Sequence, residues 1–182
     1  MTFLSVDSLS KSFGGNRAVD GVSFDLKSGE LLAMIGPNGA GKSTCFNIIY
    51  GILNPDSGSV KLDGRELIGM KPREIWRLGV GRTFQITAVY PSMSVVENVQ
   101  MALISHHGRT LSGISRAAKL YRSEALQLLE LIEMTDQADR AANVLAYGDL
   151  KRLELAVALA NQPIMLLMDE PTTHLDMISI DA

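Results

Sequence analysis

Cysteine is nearly missing from this chain of 182 residues: Cys45 is the single one, so no intrachain disulfide can form and a reducing compartment suits the sequence. Long apolar runs are missing as well. None approaches the ~20 residues that cross a bilayer, and Asp7 and Lys11 break up any signal-peptide pattern at the start. A basic excess is also absent. The 17 Lys and Arg against 20 Asp and Glu leave a net charge of −3, which argues against non-specific nucleic-acid binding, and no nucleic-acid partner is expected. Aromatic residues make up only 5%, with one tryptophan, Trp76, read as a packing residue. There are no repeats and no low-complexity tracts. What remains, 46% hydrophobic and 20% charged, is ordinary for a globular protein long enough to bury a sizeable core.

The richest segment is Gly36-Pro37-Asn38-Gly39-Ala40-Gly41-Lys42-Ser43-Thr44. It fits G-x-x-x-x-G-K-[ST], a loop whose glycines let the backbone turn around an anion with no Cβ in the way. The apolar run Glu30-Leu31-Leu32-Ala33-Met34-Ile35 before it reads as a buried strand, and Ser43 to Tyr50 as a helix ended by Gly51. Strand, glycine-rich turn and helix are the order in which successive N–H groups and a helix N-terminus face a phosphate. Lys42 is expected to reach the terminal phosphates, and the Ser43 hydroxyl to ligate Mg²⁺. Cys45 lies on the same helix, where a thiol pKa can be lowered, but packing is the favoured reading.

Around this core, Phe3 to Leu9, Val19 to Leu26 and Gly58 to Gly64 alternate as half-buried strands. They suggest a mixed sheet with an antiparallel layer beside the nucleotide core. Pro72 opens a short helix through Leu78, and the basic residues between Lys61 and Arg82 read as a solvated face. From Ile86 to Leu145 helical patterns take over. Ser94 and Glu97 are spaced as a capping box before a helix from Val95 to Ile104. Ser105 to Ser115 reads as a loop, and Ala125, Leu128, Leu129 and Ile132 as one helix face. A helix from Leu150 to Asn161 and an apolar strand, Ile164 to Met168, return to the core. The fold expected is α/β: a P-loop NTPase core with a mixed sheet, an antiparallel layer and an inserted helical subdomain. Its parts are expected at 1–85, 86–147 and 148–182.

That last strand delivers Asp169-Glu170-Pro171. In a chain that already has a P-loop, Asp169 at the strand end is expected to hold Mg²⁺, directly or through water. Glu170 is expected to act as general base on the attacking water, a role that supplies roughly 10²–10⁴-fold.

The ordered set of residues 36–44, Thr83-Phe84-Gln85, Leu145-Ala146-Tyr147-Gly148-Asp149, Asp169-Glu170-Pro171-Thr172 and Leu175-Asp176 resembles the ATP-binding cassette (ABC) ATPases across essentially the whole chain. The resemblance implies ATP and Mg²⁺ as cofactors. It implies that Phe13 stacks on adenine and that Gln85 senses Mg²⁺ and water while coupling to a transmembrane partner. Ala146, Gly148 and Asp149 then occupy the signature positions that face ATP held by a second cassette, identical or not. Gly148 and Asp149 read as preceding a helix, so that free N–H groups point at an anion, with the Asp149 side chain capping the helix. Arg17 to Phe24, Leu78 to Gln85 and the Tyr147 variant of the signature look like the ATPase subunits of branched-chain amino acid importers. Such a subunit sits at the cytoplasmic face of the plasma membrane, on permease subunits served by a solute-binding protein.

Two features depart from that pattern. The family's switch histidine lies well beyond the catalytic glutamate, and neither His106, His107 nor His174 stands there; the three read as solvated polar surface. The sequence therefore reads as a C-terminally truncated cassette, whose turnover is expected to be low if the segment is truly lacking. Thr172-Thr173-His174-Leu175-Asp176 looks closer to the soluble, ribosome-associated twin-cassette ATPases, which stand as the alternative reading.

Overall fold

The computed structural model describes residues 2–83, 89–107 and 120–168. The chain divides into two units, Met1–Leu78 and Gly79–Ala182.

In the first unit the period-two pattern folds as expected. Strands β1 (Thr2–Phe13) and β2 (Asn16–Lys27) form an antiparallel hairpin whose register runs from Thr2↔Lys27 to Phe13↔Asn16. Gly14 and Gly15 turn it at φ +54° and +86°, a left-handed conformation that costs glycine nothing. β3 (Ser57–Leu62) pairs on the other side of β1, setting Leu4 against Leu62 and Val6 against Val60. β4 (Arg65–Glu66) completes an antiparallel sheet of order β2-β1-β3-β4. Leu4, Val6, Leu9 and Val60 are all buried, as inward residues of a half-buried sheet must be. Helix α1 (Lys42–Ile49) buries Cys45, Ile48 and Ile49. Helix α2 (Pro72–Arg77) starts at its proline and buries Ile75, while Trp76 is only half-buried.

Residues 30–35 differ from expectation. They form no strand, and Leu31 and Ile35 are 97% and 95% exposed. An apolar run becomes a central parallel strand only when neighbouring strands accept its N–H and C=O groups. All four strands of this unit are already ordered in a sheet that does not include residues 30–35.

The second unit holds a parallel pair, β5 (Val80–Arg82) and β6 (Met165–Leu167), with Val80 opposite Met165 and Arg82 opposite Leu167. β5 was not evident in the sequence. Three residues are too short for a period, and Gly81 breaks the apolar run. The glycine is packed: a Cβ there would lie 3.1 Å from Leu166 and from Pro163.

The helices gather around one core. α3 (Val95–His106) buries Val95, Val96, Val99 and Leu103. Its capping box forms as expected, with Glu97 N–H donating to Ser94 Oγ at 3.3 Å and Ser94 N–H to Glu97 Oε2 at 2.8 Å. α4 (Arg122–Leu131) adds Ala125 and Leu129, and α5 (Tyr147–Leu159) adds Leu153 and Ala156. Ser105 and His106 belong to α3, and 108–115 of the expected loop lie outside the described residues.

The two histidines at the end of α3 have side-chain partners, His106 half-buried and His107 exposed. His106 Nδ1 lies 2.8 Å from Oδ1 of the buried Asn161. His107 stacks on Tyr121 at 4.5 Å between centroids and lies 3.6 Å from Glu124. Both histidines close the C-terminus of α3 onto neighbours far away in sequence, which spacing alone does not reveal. Among the described residues, no helix is long and apolar enough to cross a membrane.

Candidate nucleotide site

Residues 36–44 wrap into a loop that leads straight into α1. Gly39 and Gly41 sit at φ +84° and +85°. Ala40 N–H donates to Pro37 C=O at 3.1 Å, and Cys45 N–H to Gly41 C=O at 2.9 Å, which opens the helix. At Gly41 the space is as demanding as the backbone: a Cβ would stand 2.1 Å from the Ala18 carbonyl oxygen. No side chain caps α1, and its first turn holds no acid. The first turn of α1 therefore contributes no carboxylate of its own to oppose the positive end of the helix dipole.

Lys42 bends back over this loop. Its Nζ donates to the carbonyls of Gly36 and Pro37 at 2.6 and 2.9 Å. These two oxygens occupy donors that a phosphate would otherwise draw. Asn38 and Ala40 are exposed at the turn, and Ser43 and Thr44 are half-buried at the helix start. A cavity of about 330 Å³ lies beside the loop, lined by Arg17, Val19, Asp20, Gly41, Lys42 and Cys45 among others. Arg17 Nη1 and Asp20 Oδ1 pair across its rim at 2.8 Å. Neither was singled out as a site residue in the sequence, because the approach of β2 to the start of α1 joins residues far apart in the chain.

Burial pushes the Cys45 thiol above its ordinary pKa. The packing reading of this residue therefore matches the structure. Phe13, 48% exposed, ends β1, and Lys11 Nζ lies 5.7 Å from its ring centroid. A half-open aromatic face at a strand end can stack on a planar base.

The signature segment starts α5 earlier than expected. Ala146 is the N-cap, with φ −64° and ψ 156°, and no side chain caps the helix. Gly148 and Asp149 thus lie inside the first turn and do not precede the helix. Asp149 does not cap: its Oδ1 pairs with Arg152 Nη2, and its Oδ2 receives Gln137 Nε2 at 3.4 Å. A capping side chain must stand at the N-cap itself, and that position belongs to Ala146. A Cβ on Gly148 would meet nothing within 4 Å, so no packing among the described residues requires glycine there.

Gln85, Asp169 and Glu170 lie outside the described residues, as does Thr172-Thr173-His174-Leu175-Asp176. β5 and β6 run parallel and end level, and Thr83 N–H donates to Leu167 C=O at 3.0 Å. Carboxyl ends of parallel strands are where ligands bind in open α/β sheets. Among the described residues, no group of three His, Cys, Asp or Glu is placed to hold a metal. Glycine turn, uncapped helix, lysine and adjoining cavity together fit a polyphosphate.

Known proteins place these features in one family. The ABC transporter family matches residues 19–173, and the chain belongs to it. It is an ATP-binding cassette of the ATPase type, with the P-loop NTPase fold expected. It is 39% identical over 180 residues to the high-affinity branched-chain amino acid transport ATP-binding protein BraF of Pseudomonas aeruginosa, covering 95% of this chain and 71% of that protein. The LivG protein of Escherichia coli, of the same description, is 38% identical over 183 residues, with the same coverage. An ATP-binding cassette of an ABC transporter solved in its ADP conformation superposes with a TM-score of 0.79 at 30% identity, covering 96% of this chain and 71% of that one. A dimeric cassette in a post-hydrolysis state, bound to ADP and Pi, gives 0.80 at 31% identity, with 95% and 76% covered.

Proposed function

We propose that this chain is the ATP-hydrolysing subunit that energises a membrane importer, with branched-chain amino acids or similar small solutes as cargo. The observation that carries the reading is the loop of residues 36–44. Its backbone demands glycine, the first turn of its helix holds no acid of its own, and Lys42 already occupies a place over its carbonyls. The names borne by the BraF and LivG relatives support the cargo class.

In this reading the amides of the loop hold the phosphates, and Lys42 leaves Gly36 and Pro37 to follow the terminal phosphate. Phe13 stacks on adenine. Mg²⁺ is held by Ser43, Asp169 and Gln85 together with phosphate oxygens and water, as suits an ion that keeps several oxygen ligands outside the protein. Glu170 takes a proton from water. The backbone amides of the turn holding Ala146, Gly148 and Asp149 face the phosphate held by a second cassette, and a dimeric relative bound to ADP and Pi supports the pairing of cassettes. Permease subunits, and indirectly a solute-binding protein, complete the assembly at the inner face of the membrane.

Binding of a fluorescent ATP analogue with Mg²⁺ tests the loop directly. Lys42→Ala is expected to weaken it at least about tenfold, since a charge-assisted contact to phosphate is lost. Unchanged affinity would overturn the assignment of the cradle. Dimers of Glu170→Gln at saturating ATP, measured by light scattering, test the two-cassette site. A monomer under those conditions would count against it.

A further inference from the structure

Asp149 places a negative charge in the first turn of α5, beside the open face of Gly148. A phosphate approaching this turn is drawn by the helix dipole and repelled by the carboxylate. Two groups turn the carboxylate back into the chain. Arg152, one helical turn on, pairs with Oδ1, and Gln137 from the 3-10 turn Thr135–Gln137 reaches Oδ2 at 3.4 Å. Gln137 is itself braced by Arg140 Nη1, 3.1 Å from its Oε1. The next charges on the helix, Lys151 and Glu154, also pair with each other at 3.0 Å. The paired charges cancel, and the dipole is left.

We propose that Arg152 and Gln137 are positioning residues that neutralise Asp149 and hold its carboxylate back, so that the first turn of α5 offers its amides to an incoming phosphate. The inference rests on the reading that this turn faces the ATP of a second cassette. It differs from simple helix support, in which Asp149 and Arg152 form an ordinary i,i+3 pair worth little.

The experiment measures ATP-dependent dimerisation of the full chain carrying Glu170→Gln, by light scattering against ATP concentration. Adding Arg152→Gln is expected to weaken dimerisation roughly ten- to a hundredfold, because a bare carboxylate then meets the phosphate. The defect should shrink as salt rises from about 0.05 to about 0.5 M, over which the screening length falls several-fold. Asp149→Asn added to Arg152→Gln should restore dimerisation to within about threefold, since no charge is left to neutralise. Arg152→Lys, which keeps the charge, should dimerise nearly as the parent does, and it guards against a glutamine variant that fails to fold. A defect that ignores salt and is not rescued by Asp149→Asn overturns the inference and assigns the pair to helix stability. So does an Arg152→Gln chain that dimerises normally. Absence of any ATP-dependent dimer in the parent removes the functional reading, and this inference with it.

Discussion

Gly41 and Cys45 sit four residues apart and answer to different constraints. Gly41 is held by two at once, a left-handed φ of +85° and a carbonyl oxygen 2.1 Å from where a Cβ would be. Either the loop or β2 must shift to admit a side chain. Gly41→Ala is expected to destabilise the first unit by about 2–4 kcal/mol, from backbone strain and overpacking together, read from urea unfolding. An unchanged midpoint would contradict the geometry. The motif made a glycine here legible, because turn chemistry is local. That the obstacle is Ala18 was not legible, since it comes from a hairpin strand and stands 23 residues earlier. Cys45 shows the other side of the same helix. With its thiol pushed up by burial, iodoacetamide should modify it at least about tenfold more slowly in the folded chain than in denaturant. Equal rates would mean that the thiol is open to solvent.

Among the elements, α3 is the one whose start was written most plainly. Ser94 and Glu97 bond reciprocally as their spacing implies. Ser94→Ala is expected to cost about 1 kcal/mol in chemical denaturation of the second unit. In β4, burial raises the Glu66 pKa, but hydrogen bonds from Ser59, Val60 N–H and Ile68 N–H, with the charge of Lys61, outweigh it and leave the carboxyl below its ordinary value. A depressed carboxylate stabilises the fold above its unfolded pKa, and that share is lost as pH falls through the folded one. Glu66→Gln should therefore lower the melting temperature at neutral pH. The gap to the parent should close in acid, and a gap independent of pH would refute the account. Helix starts without a side-chain cap are harder to read. α5 begins at Tyr147, before the acid that looked like its cap, because backbone geometry at Ala146 set the boundary.

For the whole molecule, the family and the fold agree with the order of motifs, and the chain spans 71% of the length of the BraF and LivG relatives. A ligand that binds only the folded form must stabilise it. ATP with Mg²⁺ at a hundredfold excess over its dissociation constant is expected to add about 2.7 kcal/mol to unfolding. At the same ATP concentration the shift should fall to about 1.4 kcal/mol or less in Lys42→Ala, as a loss of affinity of about tenfold or more requires. An undiminished shift in that variant would place the nucleotide elsewhere.

Sequence alone determined the phosphate loop, the cap of α3, the amphipathic faces and the order of motifs that mark the family. The loop, the cap and the faces each depend on residues within a few positions of one another, where spacing is geometry, and the order of motifs is read directly along the chain. Tertiary structure alone decided that residues 30–35 stay outside the sheet, that β5 exists, and that Arg152 and Gln137 hold Asp149. Strand pairing, and contacts such as the one from Gln137, need partners brought from elsewhere in the chain. An apolar run or an acid at a helix start carries no record of which partner arrives.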